Sequence, residues 1–289
     1  MMSAPPDQDG RTFIVTGATG GIGMVTAREL AARGGTVFIT ARSPAKGRAA
    51  LDELRTTTNS DRVQLLSLEL GDLGSVRACA NAFLQSGEPL HGLINNAGLA
   101  GQRGLTASGF ELAFGSNHVG TFLLTELLTP RLRESAPARI VNVASEGHYK
   151  AKGIDFDAVR RKTRTRTAFP EYCVSKLANV LHAAELGRRL QDSGVTTYSL
   201  HPGAVATDVW RSVPWPIRPL MTRRMLSPQD GARTTLYCAT SSEVADQTGD
   251  YYDSCKRTAP SELVTPELAA ELWRRSADWV GTATDPIAA

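Results

Sequence analysis

The sequence predicts an α/β fold with a single doubly wound parallel sheet of about seven strands and helices on both faces. Short runs rich in β-branched residues alternate along the chain with longer segments of helical periodicity. These runs are continuously apolar, as expected of parallel strands that are buried on both sides. Of the 289 residues, 42% are hydrophobic and 21% are charged, a composition that supports a sizeable core and excludes a disordered chain.

Seven strands are predicted from β-branched and apolar runs that end at glycine or at polar residues. They are Arg11–Thr16, Thr36–Thr40, Val63–Leu68, Leu90–Asn95, Arg139–Ala144, Val195–Leu200 and Asp250–Tyr252. Between them lie segments whose apolar residues recur at helical spacing, several with recognisable ends: Gly34 and Gly35 stop the first, and Ser43 with Pro44 opens the second. The predicted helices are Ile22–Arg33, 43–55, Ser75–Gln85, Glu111–Glu134, Pro170–Gln191, Pro228–Thr240 and Pro266–Gly281.

Composition and termini exclude several classes of protein. A net charge of +3 is too small to indicate a nucleic-acid partner. The N-terminus has neither a basic region nor an apolar region of a signal peptide, and no run approaches the roughly 18 apolar residues of a membrane span. The four cysteines are far apart and show no metal-type spacing, so free thiols in a reducing compartment are expected. We therefore expect a cytoplasmic protein without a membrane anchor or a metal.

The loop after the first strand is rich in glycine. It runs from Thr16 to Gly23, and its glycines allow a tight turn and bring backbone N–H groups to the positive end of a helix dipole. A plain strand–helix turn is the alternative, but a strand before and a helix after the loop favour a pyrophosphate site. The candidate cofactor residues here are Thr16, Gly17, Thr19, Gly20, Gly21, Ile22 and Gly23.

The loop after the second strand indicates which dinucleotide binds. NAD sites usually place an acid here to hold the ribose 2′-hydroxyl, whereas this chain has Ala41 followed by Arg42, with Lys46 further on. A guanidinium offers paired donors to a 2′-phosphate. The sequence thus favours NADP(H), although Arg42 and Lys46 could also be ordinary solvated charges.

A tyrosine and a lysine stand four residues apart in a predicted helix. At this spacing Tyr172 and Lys176 share one face, where an ammonium stabilises a phenolate and brings the phenol towards a working pKa. Such a pair is usually structural by itself. Two further polar residues change this interpretation: Ser145 follows the fifth strand at its carboxyl end, and Asn117 lies in the helix after the fourth strand.

Taken together, these motifs resemble the short-chain dehydrogenase/reductase family over about residues 11–252. The signatures occur in order: the TGxxxGxG loop, Asn95–Gly98 (NNAG), Ser145 with Tyr172 and Lys176, and His201-Pro202-Gly203. Residues 116–122, 139–145 and 172–190 are similar to the retinol dehydrogenase-like branch. The resemblance implies a Rossmann-type fold and a homo-oligomer formed through the helices that hold Asn117 and Tyr172.

The resemblance also implies roles for the matching residues. Tyr172 would be the general acid and base, Lys176 would hold the nicotinamide ribose, Ser145 would bind the substrate oxygen, and Asn117 would hold a water that relays protons through Lys176. The remaining cofactor contacts would come from Glu69 and Leu70 at the adenine, from Asn96, Ala97 and Gly98 at the adenosine ribose, and from Pro202, Gly203, Val205 and Thr207 at the carboxamide. Glu69 stands where the family more often has aspartate.

Two segments belong neither to the predicted sheet nor to the cofactor loops, and they are candidates for determining substrate specificity. Residues 147–170 contain the basic run Arg160–Arg166, for which a solvated surface is the expected role, and residues 208–227 are rich in apolar and aromatic residues, as expected of a lid over an apolar substrate. A loop packed on the core or on a partner subunit is the alternative for the second. The predicted organisation is a disordered tail over residues 1–10, one NADP-binding domain over 11–281 and a tail over 282–289.

The predicted function is NADP(H)-dependent hydride transfer between the nicotinamide and a carbonyl or alcohol of an apolar small molecule. Two alternatives stay open at this point. One is reduction of a C=C bond, as in the related protochlorophyllide reductases. The other is a non-enzymatic NADP(H)-binding sensor on the same fold, although such proteins commonly lose the tyrosine or serine that this chain keeps.

Overall fold

The computed structural model describes residues 7–205 and 226–282 and contains one eight-stranded sheet. The strand order is β3-β2-β1-β4-β5-β6-β7-β8, and all neighbours are parallel except β7 and β8. The strands are β1 Thr12–Val15, β2 Thr36–Ala41, β3 Val63–Ser67, β4 Gly92–Asn95, β5 Ala138–Val143, β6 Val195–His201, β7 Asp250–Asp253 and β8 Lys256–Arg257. The chain reverses its winding between β1 and β4, so a crevice opens at the carboxyl ends of these two strands.

The predicted doubly wound α/β sheet is confirmed, with eight strands rather than about seven. The additional strand β8 consists of two exposed residues that pair antiparallel with β7 at the edge of the sheet. It escaped prediction because two solvated cations carry no apolar signal. The seven longer strands lie within one or two residues of their predicted bounds, since glycines and polar residues do end the apolar runs.

Seven helical segments cover the two faces of the sheet in the described residues. They are α1 Gly21–Ala32, α2 Pro44–Thr58, α3 Leu73–Gln85, α4 (Leu112–Phe114 and Gly120–Glu134, joined by a π-helical turn Gly115–Val119), α5 Phe169–Arg189, α6 Pro228–Thr240 and α7 Pro266–Val280. Side-chain caps explain several starts: Ser43 accepts from the Lys46 N–H, and Asp72 accepts from the Gly74 N–H. One apolar core lies on each side of the sheet.

Glycines that pack closely against neighbouring residues lie at the two ends of the π-helical turn of α4. A Cβ on Gly115 would lie 2.6 Å from Thr106 Cγ2, and a Cβ on Gly120 would lie 2.1 Å from the backbone oxygen of Leu70. The helix can therefore approach the end of β3 only with glycine at residue 120. The extra residue that a π-helical turn accommodates lies where Asn117 enters the site, a common location for such turns.

We expect Gly120→Ala to lower the free energy of unfolding by about 2 kcal/mol or more, because the new methyl group would overlap the Leu70 carbonyl. Urea denaturation measures this change. Gly104→Ala is the control, since a Cβ there would meet only Leu112 side-chain atoms at 3.5 and 3.9 Å. Equal stability of the two variants would show that the backbone tolerates the displacement.

Helix α7 lies across α4 and α5, the two helices that carry Asn117 and Tyr172. The Trp273 ring packs against Phe122 of α4, with ring centroids 4.9 Å apart, and against His182 of α5 at 5.8 Å. The Ser276 hydroxyl lies 2.8 Å from Nε2 of the buried His118. The resemblance predicts a homo-oligomer formed through α4 and α5. In this structure α7 covers part of the outer surface of these two helices.

Candidate active site

The glycine-rich loop between β1 and α1 leaves a helix N-terminus open. Among the described residues, no side chain caps the first turn of α1, and a Cβ on Gly20 would meet none of their atoms within 4 Å. Gly17 and Gly21 have φ angles of 67° and 56°, which favour glycine. A Cβ on Gly23 would lie 2.4 Å from Asn96 Nδ2 and 2.6 Å from the Gly17 oxygen. The loop thus keeps N–H donors at the helix terminus exposed to an anion, as a pyrophosphate requires.

Thr16 and Asn96 tie this loop to the chain after β4. The buried Thr16 hydroxyl accepts from the backbone N–H groups of Asn96 and Ala97, at 3.0 and 2.9 Å. In return the Asn96 side chain donates to the Thr16 backbone oxygen at 2.8 Å. The predicted cofactor residues of β1 and β4 therefore form one connected wall of the crevice.

The two residues predicted to bind a 2′-phosphate follow β2, and one of them, Arg42, contacts Glu69. The Arg42 side chain is 74% exposed, and its Nε lies 3.5 Å from Oε2 of Glu69. Glu69 lies two residues after the end of β3. Glu69 is itself oriented, because its Oε1 accepts from the Gly71 N–H at 3.1 Å. Lys46 is exposed in the first turn of α2, and Leu70 is buried.

Tyr172 and Lys176 lie on one face of α5, as their spacing predicts. The Lys176 Nζ is 5.8 Å from the centroid of the Tyr172 ring and donates to the backbone oxygen of Val143, the last residue of β5, at 2.8 Å. Lys176 is only 4% exposed, and burial lowers the pKa of its ammonium to about 8. This lysine therefore keeps its charge at neutral pH and releases a proton under mildly alkaline conditions.

The pKa of Tyr172 shifts in the direction opposite to the one expected from a neighbouring ammonium. Burial raises the pKa of the phenol, and a hydrogen bond with the Ser145 hydroxyl opposes that shift without overcoming it. Burial is the largest influence on the pKa of this phenol, and the Lys176 ammonium donates to the Val143 carbonyl. In the described structure Tyr172 is therefore a neutral proton donor at pH 7.

Ser145 sits directly above β5 at the start of a short 3-10 helix, Glu146–Lys150. Its Oγ accepts from the Gly147 N–H at 3.1 Å, so the hydroxyl proton is left to be donated towards Tyr172 or a substrate oxygen. A Cβ on Gly147 would lie 3.3 Å from Tyr172 Cε1 and 3.4 Å from Ser145 Oγ. Glycine at residue 147 thus gives the serine and the tyrosine room to face each other.

Asn117 is fully buried and connects three parts of the site. Its Oδ1 accepts from the Leu99 N–H at 2.9 Å, and its Nδ2 donates to the Leu99 oxygen at 3.0 Å and to Ser175 Oγ at 2.9 Å. Ser175 Oγ in turn donates to the Tyr172 backbone oxygen at 2.7 Å. Both N–H donors of the amide are used, so a water held by this side chain would have to donate to Oδ1. Gly98 lies beside it, where a Cβ would approach Asn117 Oδ1 and Lys176 Nζ at 3.4 Å.

The loop after β6 closes the other side of the crevice. Gly203, which follows Pro202, has a φ angle of 85°. A Cβ at that position would lie 2.4 Å from Cδ1 of Leu226. Val205 is buried and pairs with Leu226 in an isolated bridge. Thr207 and nearly all of the predicted lid, residues 208–227, lie outside the described residues.

The five cations of the basic run after Ser145 are exposed, in line with the solvated surface that its composition predicts, and the run also contacts the rest of the chain. These cations are Arg160, Arg161, Lys162, Arg164 and Arg166. The Arg160 guanidinium, however, lies 4.1 Å from the centroid of the Phe110 ring. Thr163 is buried, and its Oγ1 accepts from the Gly104 N–H at 3.0 Å. The insert is thus anchored to the segment before α4 at two residues inside the basic run.

Sequence reasoning missed residues that hold the site from behind. Ser175 links Asn117 to α5, His201 accepts from the Glu146 N–H at 3.2 Å, and the buried His148 contacts the Ser145 backbone. Ser175 and His201 lie inside motifs that were recognised, and a polar residue on a buried helix face would have been the signal for Ser175. His148 follows the motif serine by three residues and shows no signal in a single sequence.

Comparisons with known proteins agree with this geometry. The sequence model described as short chain dehydrogenase matches residues 11–155. Retinol dehydrogenase 12 from Homo sapiens is 43% identical over 276 residues, which cover 94% of this chain and 87% of the relative. Retinol dehydrogenase 13 from Homo sapiens is 42% identical over 282 residues, covering 94% of this chain and 85% of the relative.

Solved structures show the same fold. An uncharacterized protein from Mycobacterium Paratuberculosis superposes with a TM-score of 0.79 at 33% identity, covering 97% of each chain. Actinorhodin polyketide ketoreductase, solved with NADPH, superposes with a TM-score of 0.65 at 27% identity, covering 84% of this chain and 95% of that one. No helix in the described part of this chain is both long enough and apolar enough to cross a membrane. The protein is therefore an oxidoreductase of the short-chain dehydrogenase/reductase family, which binds nicotinamide cofactors, and it belongs to the retinol dehydrogenase-like branch.

Proposed function

We propose that the protein transfers a hydride between NADP(H) and a carbonyl/alcohol pair of an apolar small molecule, with Tyr172 as the general acid and base. The observation that carries the proposal is the meeting of Ser145, Tyr172 and Lys176 at the carboxyl end of β5. There they lie beside the chain that follows β4, whose Asn96 and Ala97 join the glycine-rich loop.

The residues present fit a dinucleotide. The uncapped N-terminus of α1 and the open space at Gly20 suit a pyrophosphate, and Gly98 leaves room next to Asn117 and Lys176. Arg42 with Lys46 would hold a 2′-phosphate, and Lys176 would hold the ribose on the nicotinamide side. When bound, the cofactor supplies the hydride, while this chain supplies orientation and the proton.

The proton chemistry follows from the hydrogen bonds. Ser145 accepts from Gly147 and so has its O–H available for a substrate oxygen that gains negative charge as the hydride arrives. Tyr172, which burial keeps protonated, would donate its proton to that oxygen. The Lys176 ammonium would stabilise the phenolate that is left. In alcohol oxidation the same groups act in reverse, with the phenolate as base.

Preference for NADP(H) is proposed from the end of β2. Neither Ala41 nor Arg42 is acidic, so this part of the chain has no carboxylate to hold a ribose 2′-hydroxyl. The exposed guanidinium of Arg42 lies close enough to Glu69 to be oriented by it. Solved relatives of the family include complexes with NADPH and with NADH, so the family alone leaves both cofactors open. Arg42 is the residue of this chain that distinguishes them.

For Arg42→Ala we expect the Kd for NADPH to rise about 10- to 100-fold, because a charge-assisted contact to the 2′-phosphate is lost, while the Kd for NADH stays within about twofold. Nucleotide fluorescence titration measures both constants. Arg48→Ala removes another exposed arginine of α2 and serves as the matched control. An equal loss for both cofactors, or a wild-type preference for NADH, would contradict NADP(H) selectivity.

An apolar substrate is proposed from the side chains around the catalytic residues. The Phe169 side chain, 40% exposed, stacks on the Tyr172 ring with centroids 6.2 Å apart. Leu226 is also exposed, next to Gly203. The human relatives carry retinol in their names. A site bordered by exposed aromatic and aliphatic groups favours a ligand that buries them.

A panel of aldehydes, ketones and alcohols, followed by NADPH absorbance and repeated with NADH, tests the proposal. Apolar aldehydes or ketones should be reduced, with the corresponding alcohol as the product in mass spectrometry and NMR. A product saturated at a C=C bond, or tight NADPH binding with no turnover across the panel, would overturn it. A cytoplasmic location is part of the proposal and is supported by the four free cysteines, three of which are buried.

A further inference from the structure

The turn that carries Ser145 is attached to the segment between β8 and α7 through a buried histidine. His148 is wholly buried in the 3-10 helix that starts after Ser145, and its Nδ1 lies 2.7 Å from the Ser145 backbone oxygen. Its Nε2 accepts from the Ser261 backbone N–H at 3.1 Å. These two contacts join the proposed catalytic serine to Ser261, which lies 113 residues beyond His148 in the chain.

The partners of the ring fix its protonation. A backbone N–H can only donate, so Nε2 carries no proton, and a carbonyl can only accept, so Nδ1 carries one. Burial lowers the pKa of His148, which favours this neutral form. The Ser145 oxygen thus receives two donors from the same residue, because the His148 backbone N–H also donates to it at 3.1 Å.

Aromatic packing holds the ring in that orientation. Its centroid lies 3.9 Å from that of Tyr149 and 4.6 Å from that of Tyr251 on β7. The Tyr149 hydroxyl donates to the Ala259 oxygen at 2.6 Å, which is a second connection between the turn and the segment after β8. The two ring nitrogens of His148 bond to the Ser145 oxygen and to the Ser261 N–H, so Ser145 is the proposed catalytic residue that the ring contacts directly.

We propose that His148 is a positioning residue, which orients the Ser145 hydroxyl by donating a hydrogen bond to the Ser145 carbonyl. The Ser261 N–H, which donates to Nε2, keeps the imidazole in the orientation and tautomer that this requires. This inference deepens the proposed function and depends on it. The C-terminal part of the chain thereby takes part in the orientation of a catalytic group that lies early in the sequence.

The first test separates hydrogen bonding from packing. His148→Phe keeps a ring between Tyr149 and Tyr251 but removes both nitrogen contacts, and His148→Asn keeps an N–H near the position of Nδ1. With NADPH and an accepted carbonyl substrate, His148→Phe should lower kcat about 10- to 100-fold. Its NADPH Kd should stay within twofold of wild type. His148→Asn should recover kcat to within about fivefold of wild type.

The second test acts on the other end of the connection. Ser261→Pro removes the backbone N–H and should lower kcat about 10-fold. Ser261→Ala keeps the N–H, loses only the hydroxyl that accepts from Leu263, and should stay within twofold of wild type. If His148→Phe fails to fold, the comparison of Ser261→Pro with Ser261→Ala still tests whether the Ser261 N–H affects kcat through His148. Equal kcat for the two Ser261 variants would overturn the inference.

A double-mutant cycle with Ser145→Ala identifies the route of the effect. Once the serine hydroxyl is gone, His148→Phe should cost less than a further twofold in kcat. A full additional 10-fold loss would show that His148 acts elsewhere and would overturn the inference. The proposed function fails separately if Ser145→Ala alone keeps kcat within a few-fold of wild type, so the two failures are distinguishable.

Discussion

Tyr172→Phe should lower kcat/KM for carbonyl reduction by about 10²- to 10⁴-fold, the usual contribution of a positioned general acid. The substitution removes only the hydroxyl, while the ring keeps its packing against Phe169. The substitution should therefore lower the rate of turnover, while NADPH affinity and thermal stability stay close to those of wild type. Steady-state kinetics, NADPH titration and thermal unfolding measure the three quantities.

Tyr237→Phe is the matched control, because it also removes one phenol hydroxyl. Tyr237 lies on α6, and its hydroxyl donates to Glu243 in the turn that follows this helix. Activity within twofold of wild type is expected for the control. If Tyr172→Phe also stayed within a few-fold of wild type, Tyr172 would not be the acid, and the proton would have to come from another group.

Lys176→Met should lower kcat/KM by about 10²- to 10³-fold, because it removes the only charge proposed to stabilise a phenolate at Tyr172. The ammonium is buried with a pKa of about 8. In the wild-type enzyme the charged fraction therefore falls as the pH rises through about 8. We expect kcat/KM for reduction to decline on the alkaline side with a midpoint near that value.

Lys176→Arg tests the charge itself, since a guanidinium stays protonated at every accessible pH. This variant should lose the alkaline decline, whatever its absolute rate. Lys152→Met, which removes an exposed lysine from the loop after the Ser145 turn, should leave the pH profile unchanged. A wild-type profile that is flat between pH 7 and 9.5 would exclude a role for the Lys176 charge.

The sequence alone predicted the sheet and the clustering of its loops, because both depend on local signals. Apolar runs ended by glycine located the strands, and parallel pairing then places the ends of β1, β4 and β5 at one edge. The family signatures supplied the residues on those loops. Spatial convergence of Ser145, Tyr172 and Lys176 follows from topology, which is why it could be expected before any coordinates.

What could not be predicted depends on contacts between distant residues. The π-helical turn at Asn117 is flanked by Gly115 and Gly120, which pack closely against Thr106 and Leu70, and a helical hydrophobic pattern records neither the turn nor these contacts. The pairing of Arg42 with Glu69 joins the ends of two strands. The upward shift of the Tyr172 pKa depends on burial, which is not visible in a spacing of four residues.

The position of α7 also bears on the order in which the chain is completed during synthesis. Phe122 on α4 and His182 on α5 are covered by Trp273 of α7, which leaves the ribosome after all eight strands of the sheet. Until residues 266–280 emerge, the nascent chain exposes an apolar surface on α4 and α5, a state in which chaperones bind and aggregation begins. We expect a chain that ends before Pro266 to aggregate more readily than the full chain, although it contains every proposed catalytic residue.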